Sequence, residues 1–550
     1  MKADEQPIYT MDIETDPFAR GRVPVPFVIG LYDGLDFWHF KTDKHSTCVE
    51  KVRQFLEDGK IEPGIIYMHN GGRFDFFYLL DFFEGRTTII NSRIVSALMP
   101  IGDGPKRFEK GYRFEFRDSY AIMPFPLKDY WKGEIKIEWL SRELRDAHMG
   151  EIISYLRIDC VGLWDLCIGF QREFGDHKTI ASASFSELSK FHKYEALPWR
   201  TDKEIRDSYY FGGRVQCFEK GVIEKPVTIY DVNSMYPYVM ESKYHPVSWP
   251  VSCDTKVHGW KEDGSFNREN MRTFFLTVEG QNLGAFPSRM PDGSVDFTVD
   301  RGIFHVTIHE WLAAMQLGLF KPKRILAAHS FADYSRFHLF VDHFYKLREK
   351  AKLEDDKMHS LFYKYILNSA YGKFGINPAN YFNWKITKTE DARPKGPGWT
   401  LEVIAHAKYF VWKQPSQLFW NVKNIGTAAS ITGAARACLL RAIAGGVGVL
   451  YCDTDSIICQ AISDVVIDDK KLGAWKAEGS GTVAAIAGKK MYAVFDASGK
   501  CIKHACKGVD LTPEQIRGVA RGEEIITWKE APTFKLDGSA TFLHRTSRLT

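Results

Sequence analysis

At 550 residues the chain has room for three or four domains, taking roughly 150 residues for each. Hydrophobic content of 45% and charged content of 26% describe an ordinary globular protein. A net charge of only +4 excludes a globally basic field, so any nucleic-acid surface must be a local groove. Aromatic residues make up 14% of the chain, which leaves stacking surface for unpaired bases beyond the core that aromatics ordinarily fill.

The ten cysteines are scattered, without a C-x-x-C pair or a Cys/His cluster at zinc spacing. That pattern suits a reducing compartment and argues against structural zinc. The N-terminus, Met1-Lys2-Ala3-Asp4-Glu5, lacks an apolar signal core. The most membrane-like stretch, 426–452, is interrupted by Arg436 and Arg441, so no membrane span is expected.

In chain order, Ile8-Tyr9-Thr10-Met11-Asp12-Ile13-Glu14-Thr15 reads as a strand with Asp12 and Glu14 on one face. A second strand, 65–70, ends at Gly71-Gly72, and 73–80 reads as helical. Residues 151–170 form an amphipathic helix on which Tyr155 and Asp159 share a face, four residues apart. Each acid alone is ordinarily a solvated surface group. Together, Asp12, Glu14, Asp75 and Asp159 suffice to hold two divalent ions and activate a water for attack on a phosphodiester.

Further on, Tyr210-Phe211-Gly212-Gly213 allows close backbone approach to a phosphate, or is a plain Gly-Gly turn. Strand 227–230 leads into Asp231-Val232-Asn233-Ser234-Met235-Tyr236-Pro237, where a tight turn can offer amides to a triphosphate and Tyr236 can pack under a sugar. Two helical stretches follow within 337–372. On the second, Lys364, Asn368 and Tyr371 fall on one stripe, which suits triphosphate and base recognition or a solvated face beside a core tyrosine.

Tyr451-Cys452-Asp453-Thr454-Asp455-Ser456 sits between apolar β-branched runs and reads as a hairpin tip. If the chain there is extended, Asp453 and Asp455 face the same way and repel each other unless a cation intervenes. Hard divalent ions prefer such oxygen ligands. A bare D-x-D turn is ordinarily loop polarity; the remaining acids give it weight. The last 50 residues are uninformative beyond a small domain with Arg545 and Arg548.

These motifs resemble family B DNA polymerases over nearly the whole chain. Asp12-x-Glu14, Asn70-x-x-x-Phe74-Asp75 and Tyr155-x-x-x-Asp159 are similar to the three motifs of the DEDD 3′–5′ exonuclease domain. The resemblance implies that Tyr155 positions the attacking water and Lys132 assists it. It implies also that Thr15, Asn70 and Phe74 hold a frayed 3′ end, together with Ser119 and Tyr120. The family usually has Ser-Leu where this chain has Ser119-Tyr120.

The Tyr210, Gly212 and Gly213 loop resembles the Y-x-G-G template contact between the two sites. Residues 231–237 resemble D-x-x-S-L-Y-P, with Met235 for Leu, and 364–372 match K-x-x-x-N-S-x-Y-G. By resemblance, Asp231, Val232 and Asp455 hold the polymerase metals and Asp453 supports them or the primer end. Val232, Tyr236, Lys364, Asn368 and Tyr371 bind the nucleotide. Lys346 and Arg348 are further phosphate contacts, with Lys346 preferred. Thr432-x-x-x-Arg436 and Lys490-x-Tyr492 contact the primer strand.

The implied fold is α/β and multi-domain: an RNase H-like exonuclease domain (1–180), then a right-hand polymerase. The latter divides into a join and first palm part (181–251), fingers (336–375), second palm part (425–500) and thumb (501–550). Two insertions interrupt it. Residues 252–335 are too long for a structureless connector and show strands and an apolar helix, and 376–424 reads as a long hairpin. Insertions at these places mark the protein-primed subgroup, which copies linear phage or plasmid genomes. There the insertions handle the terminal protein, strand displacement and processivity.

The resemblance therefore implies a DNA-directed DNA polymerase with proofreading exonuclease, two Mg²⁺ or Mn²⁺ ions per active site, and a monomer in the cytoplasm of a bacterial host. The implied partners are template and primer DNA, dNTPs, a terminal protein and a single-stranded DNA-binding protein, with no membrane. One rival is a family B enzyme that extends only nucleic-acid primers, against which the two insertions speak. The other is a non-catalytic DNA-binding relative, which should have lost some of the acids; none is lost.

Overall fold

The computed structural model describes residues 6–131, 133–267, 269–405, 409–416 and 424–549. Its N-terminal third is built on strand Ile8–Thr15, which pairs antiparallel with Pro26–Tyr32 and parallel with Ile65–Met68. Beyond Ile65–Met68 come Arg113–Asp118, Arg93–Pro100 and Gly85–Ile90, and Phe37–Lys41 closes the other edge. Helix Met149–Phe174 packs across this sheet, and Thr10 Oγ1 donates to Cys160 O at 2.7 Å, fixing the helix against the strand. Met11, Leu31, Met68, Phe76, Phe83 and Phe116 fill one face.

The expected helix over 73–80 is instead a run of short 3₁₀ turns, Gly71–Arg73, Asp75–Phe77 and Leu80–Phe82. Asn70 enters in the left-handed conformation and Phe74 is not helical (φ −139°, ψ −76°), so no i→i−4 ladder propagates. The turns instead turn Phe76, Leu80 and Phe82 inward.

Strands Phe382–Thr387 and Thr400–Ala405 lie on either side of 393–398, but each pairs with Tyr409–Pro415 and not with the other, so the expected hairpin around 393–398 is replaced by a three-stranded arrangement with Tyr409–Pro415 in the middle. They also join the N-terminal sheet, because Trp384, Lys385 and Ile386 pair with Thr87, Arg86 and Gly85. The result is one ten-stranded sheet assembled from the two ends of a long sequence separation.

The second half centres on a five-stranded sheet ordered Trp475–Gly481, Val227–Val232, Ser456–Cys459, Tyr451–Asp453 and Val215–Cys217. Beside it lies a four-stranded sheet of Cys501–Cys506, Met491–Phe495, Val483–Gly488 and Gly221–Ile223. Since Cys501–Cys506 pairs with Met491–Phe495, the chain has no structural break at 500. A later helix, Pro513–Ala520, and two short hairpins complete the C-terminal segment.

Helices His338–Leu353 and Lys357–Phe374 pack as a pair, with Ile180–Phe191 against the second. Residues 250–331 form a separate four-stranded sheet (Pro250–Asp254, Phe320–Phe331, Arg272–Asn282, Arg301–Thr307) and helix Ile308–Gln316. That helix starts with a capping box, Thr307 and Glu310 each satisfying the other's backbone amide. It lies on helix Ile425–Ala444, whose run of Gly, Ala, Ser and Thr lets backbones approach closely and leaves it almost wholly buried. No helix among the described residues is long and apolar enough to cross a membrane.

Candidate active sites

Two clusters of carboxylates lie on different sheets. In the first, Asp12 and Glu14 share a face of Ile8–Thr15, while Asp75 enters from a 3₁₀ turn and Asp159 from helix Met149–Phe174. Burial, then Asp159, raises Asp12 from 3.8 to about 7. Burial followed by Asp12, Asp159 and Asp75 lifts Glu14 well above the usual carboxylate range. Asp75 is lifted likewise by burial and then Asp12. Tyr155, one turn before Asp159 and hydrogen-bonded to it, is held protonated by burial and that acid.

The residues expected to hold a frayed strand are distributed unequally. Asn70 is exposed, and its Oδ1 accepts from Arg93 Nη2 at 3.0 Å. Phe74 is half-buried, edge-on to Phe18 at 5.6 Å and to Phe534 at 5.7 Å. Thr15 and Ser119 are buried. Thr15 donates to Asp16 O, and Ser119 Oγ lies 3.0 Å from His69 Nδ1 and donates to Met68 O. Neither hydroxyl is therefore presented to a passing strand. Tyr120, where a Leu is usual, lies under the Arg93 guanidinium at 4.6 Å. Lys132 lies outside the described residues.

The second cluster forms where strand Val227–Val232 meets the 453–456 hairpin. Asp231 sits opposite Ser456, and Val232 N donates to Asp455 O at 2.9 Å. Burial, then Asp455 and Glu478, raise Asp231 to about 7. Asp455 is raised by burial and then Asp453.

Simple strand alternation does not describe this tip. Asp453 pairs with Ser456, so Thr454 (φ +58°) and Asp455 form a two-residue turn. Asp453 is neutralised by Lys490, whose Nζ is 2.6 Å from both carboxylate oxygens, whereas Asp455 keeps the company of Asp231. Lys490 N donates to Tyr451 Oη, and the Tyr451 and Tyr492 rings lie 5.1 Å apart.

Asp231 and Asp455 line one end of a cavity of about 620 Å³ whose other walls carry Arg348, Lys352, Lys364, Lys470 and Lys476. Val232, Tyr236, Asn368 and Tyr371 also line it, and the Tyr236 and Tyr371 rings stack at 4.2 Å. Burial, with Arg348 nearby, lowers Lys364. Arg348, not Lys346, belongs to this cavity: Arg348 reaches Ser234 Oγ at 3.5 Å, while Lys346 is exposed elsewhere on its helix.

Glu478 went unnoticed in the sequence. It raises both Asp231 and Asp455 and pairs with Lys476 at 2.9 Å and with Lys503. Its signal was the strand alternation in Trp475–Gly481, which no motif marked.

Thr432 and Arg436, expected to contact the primer strand, are turned into the protein. Both are buried within helix Ile425–Ala444, and Thr432 donates to Ala429 O. Arg436 pairs with Glu310 through Nε (2.6 Å) and Nη2 (3.0 Å), and Nη1 donates to Phe211 O and Gly212 O at 2.7 and 2.8 Å. The small-residue helix draws the guanidinium inside. In the 210–213 loop Gly212 is exposed with open space around it, and Tyr210 is partly buried, with its hydroxyl against Gly375.

Both clusters fit hard divalent cations. Buried oxygen donors that raise one another's pKa lack only positive charge, which such an ion supplies. Among the described residues no three His, Cys, Asp or Glu side chains already form a closed metal-holding group.

A family model described as DNA polymerase type B, organellar and viral, matches residues 124–411. A DNA-directed DNA polymerase of Enterobacteria phage PRD1 is 40% identical over 578 residues, covering 99% of this chain and 98% of its own. The DNA polymerase of Bacillus phage phi29 is 27% identical over 403 residues, 66% of this chain and 64% of that one. A solved structure of Phi29 DNA polymerase with primer-template DNA and incoming nucleotide superposes with TM-score 0.72 over 99% of this chain and 100% of that one, at 18% identity. That fold is an exonuclease domain followed by palm, fingers and thumb. The chain belongs to the organellar and viral type B DNA polymerases, in the protein-primed subgroup of family B.

Proposed function

We propose that this DNA polymerase replicates a linear genome from the hydroxyl of a terminal protein and proofreads with its own 3′–5′ exonuclease. The observation that carries the two-activity reading is the pair of separate carboxylate clusters, each buried and each raising its own acids.

Asp231, Val232 through its carbonyl, and Asp455 would hold ions at the polymerase site; Asp12, Glu14, Asp75 and Asp159 would hold them at the exonuclease site. Two Mg²⁺ or Mn²⁺ ions supply charge for the developing phosphoryl oxygens and the attacking oxygen. The chain's own residues do the rest. Lys364 and Arg348 bind the triphosphate, Asn368 and Tyr371 face the base, and Tyr236 bounds the sugar. Lys490 holds Asp453 beside the primer end. At the other site, protonated Tyr155 donates toward Asp159 and orients the water. Lys132 assists. Gly212 offers exposed backbone to the template between the sites.

Protein priming is supported by the folded 250–331 subdomain lying between the Asp231 turn and the Lys364 helix. Template DNA, dNTPs, a terminal protein and a single-stranded DNA-binding protein are the partners this reading requires, in the cytoplasm of a bacterial host. The test is covalent attachment of labelled dNMP to a candidate terminal protein. Extension of an oligonucleotide without such attachment would favour the reading in which only nucleic-acid primers are used.

A further inference from the structure

Arg436 is buried, and among the described residues it is one of the most heavily engaged side chains. Its guanidinium joins three elements. Glu310, itself buried, comes from the first turn of helix Ile308–Gln316 in the subdomain that follows the Asp231 strand. Two of its N–H groups are committed to that carboxylate, and Nη1 caps the carbonyls of Phe211 and Gly212. The preceding carbonyl, of Tyr210, accepts from Arg289 Nη2 at 2.9 Å, and Arg289 belongs to the same subdomain. Three consecutive carbonyls are thus held by guanidinium groups.

The next two residues carry this restraint to the polymerase acids. A Cβ on Gly213 would lie 2.7 Å from Thr454 Oγ1 and 2.8 Å from its Cγ2, so loop and turn are in van der Waals contact. Thr454 N donates to Arg214 O at 2.7 Å. Thr454 is the left-handed residue between Asp453 and Asp455, and the turn has few other backbone restraints: Asp455 N bonds back to Asp453 O, and Asp455 O accepts from Val232. Left-handed backbone in a β-branched residue persists only where its surroundings impose it. The Arg214 carbonyl is part of what imposes it.

We infer that Glu310 and Arg436 are positioning residues for the 453–455 turn, acting through the 210–214 loop, so that the subdomain at 250–331 sets the geometry of the polymerase acids. This rests on Asp231 and Asp455 being the metal-holding pair. The ion pair keeps the Phe211 and Gly212 carbonyls in place, these keep Gly213 and Arg214 against Thr454, and Thr454 sets where the Asp455 carboxylate stands relative to Asp231.

The experiment uses the full chain and extension of a DNA primer, so that it is independent of protein priming. Arg436→Lys keeps the charge but cannot reach a carboxylate and two carbonyls together; Glu310→Gln keeps the shape and removes the charge. Both should lower kcat for nucleotide incorporation by about tenfold or more, since small misplacements at a reacting centre cost up to ~10²-fold. Both should also raise the Mg²⁺ concentration needed for half-maximal rate. Primer-template affinity, its salt dependence and degradation of single-stranded DNA should remain as in the parent. Arg289→Ala, which releases the Tyr210 carbonyl of the same loop without touching the buried pair, should give the same signature and serves if the other variants do not fold.

If Arg436→Lys instead weakens DNA binding and flattens its salt slope by about one while kcat holds, Arg436 is a phosphate contact and the inference fails. Unchanged kcat and Mg²⁺ dependence in a folded Arg436→Lys protein overturn it as well. Asp231→Asn, run alongside, must be inactive in incorporation; activity there would remove the underlying site assignment rather than the linkage alone.

Discussion

The rings of Tyr236 and Tyr371 stack 4.2 Å apart at an interplanar angle of 18°, in the wall of the cavity that Asp231 and Asp455 also line. Tyr236 is one residue into helix Met235–Ser242 and Tyr371 is near the end of Lys357–Phe374, so the stack ties the metal-side turn to the cationic helix. A ring held by a stacking partner is a rigid boundary for a sugar. Tyr236→Val should admit ribonucleotides at least about tenfold more readily, a loss of ~1.4 kcal/mol of discrimination. Incorporation of dNTPs should largely survive. The measurement is the ratio of kcat/KM for rNTP and dNTP opposite the same template base; an unchanged ratio places the sugar boundary elsewhere.

The separation of the carboxylate clusters predicts separable activities. Asp231→Ala or Asp455→Ala should abolish incorporation and spare degradation of single-stranded DNA. Asp12→Ala with Asp75→Ala should do the reverse. A folded variant from either group that loses both activities contradicts the two-site assignment.

Much of this was legible in the sequence, and the reasons differ from place to place. Asp12 and Glu14 could be placed because a period-two strand puts them on one face whatever the rest of the chain does. Lys364, Asn368 and Tyr371 could be placed because helical spacing is equally local. The setting of Arg436 was not legible, because the sequence cannot show that a small-residue helix buries this guanidinium against Glu310. The pairing of Trp384 with Thr87 was invisible for the same reason: nothing local encodes which distant edge a strand will meet. At Asp453, a left-handed turn residue overrode alternation.

The raised acids predict an unusual pH dependence in metal-free buffer. Asp12 and Asp231 have folded values of about 7 against 3.8 unfolded. The native state therefore binds more protons across this window, so stability present below about pH 4 is lost as pH rises toward 7. Asp12→Asn should flatten that part of the profile and raise the thermal midpoint at neutral pH by a few degrees, each kcal/mol corresponding to about 2–4 °C in domains of this size. Asp231 is less enclosed, so the same change there should act more weakly. Adding Mg²⁺ should stabilise the parent most at neutral pH. An Asp12→Asn profile parallel to that of the parent would mean the acids do not repel as inferred.

The C-terminal segment reaches the exonuclease side. Phe534 stacks on Phe77 (5.2 Å, 11°) and meets Phe74 and Tyr78 edge-on at 5.7 and 5.5 Å. These rings flank Asp75. Each aromatic pair contributes about 0.5–1.5 kcal/mol beyond its buried area. Phe534→Ala should loosen the turn that carries Asp75 and slow single-stranded DNA degradation several-fold, leaving correct incorporation intact. Equal effects on both activities, in gel assays of one preparation, would reduce the contact to ordinary packing.

Protein priming needs a docking surface that DNA extension does not use, and the 250–331 subdomain is the place to look for it. Deleting it is a poor test. Removing Glu310 would leave Arg436 buried without its carboxylate, and breaking a buried pair from one side costs about 3–5 kcal/mol. Surface changes avoid that. Val251, Leu283 and Ile303 are exposed apolar residues of the subdomain, at 57%, 46% and 56%. None is an element of the Arg436 linkage. Exposed apolar side chains on a folded subdomain are where a protein partner gains most from burial. Val251→Asp, Leu283→Asp and Ile303→Asp should each be tested for nucleotide attachment to terminal protein and for extension of a hybridised oligonucleotide. At least one should lower attachment about tenfold, as expected for ~1.4 kcal/mol of lost docking energy, with extension unchanged. Loss of both activities in a folded variant would make that side chain structural. Full attachment in all three would move the docking surface off these residues.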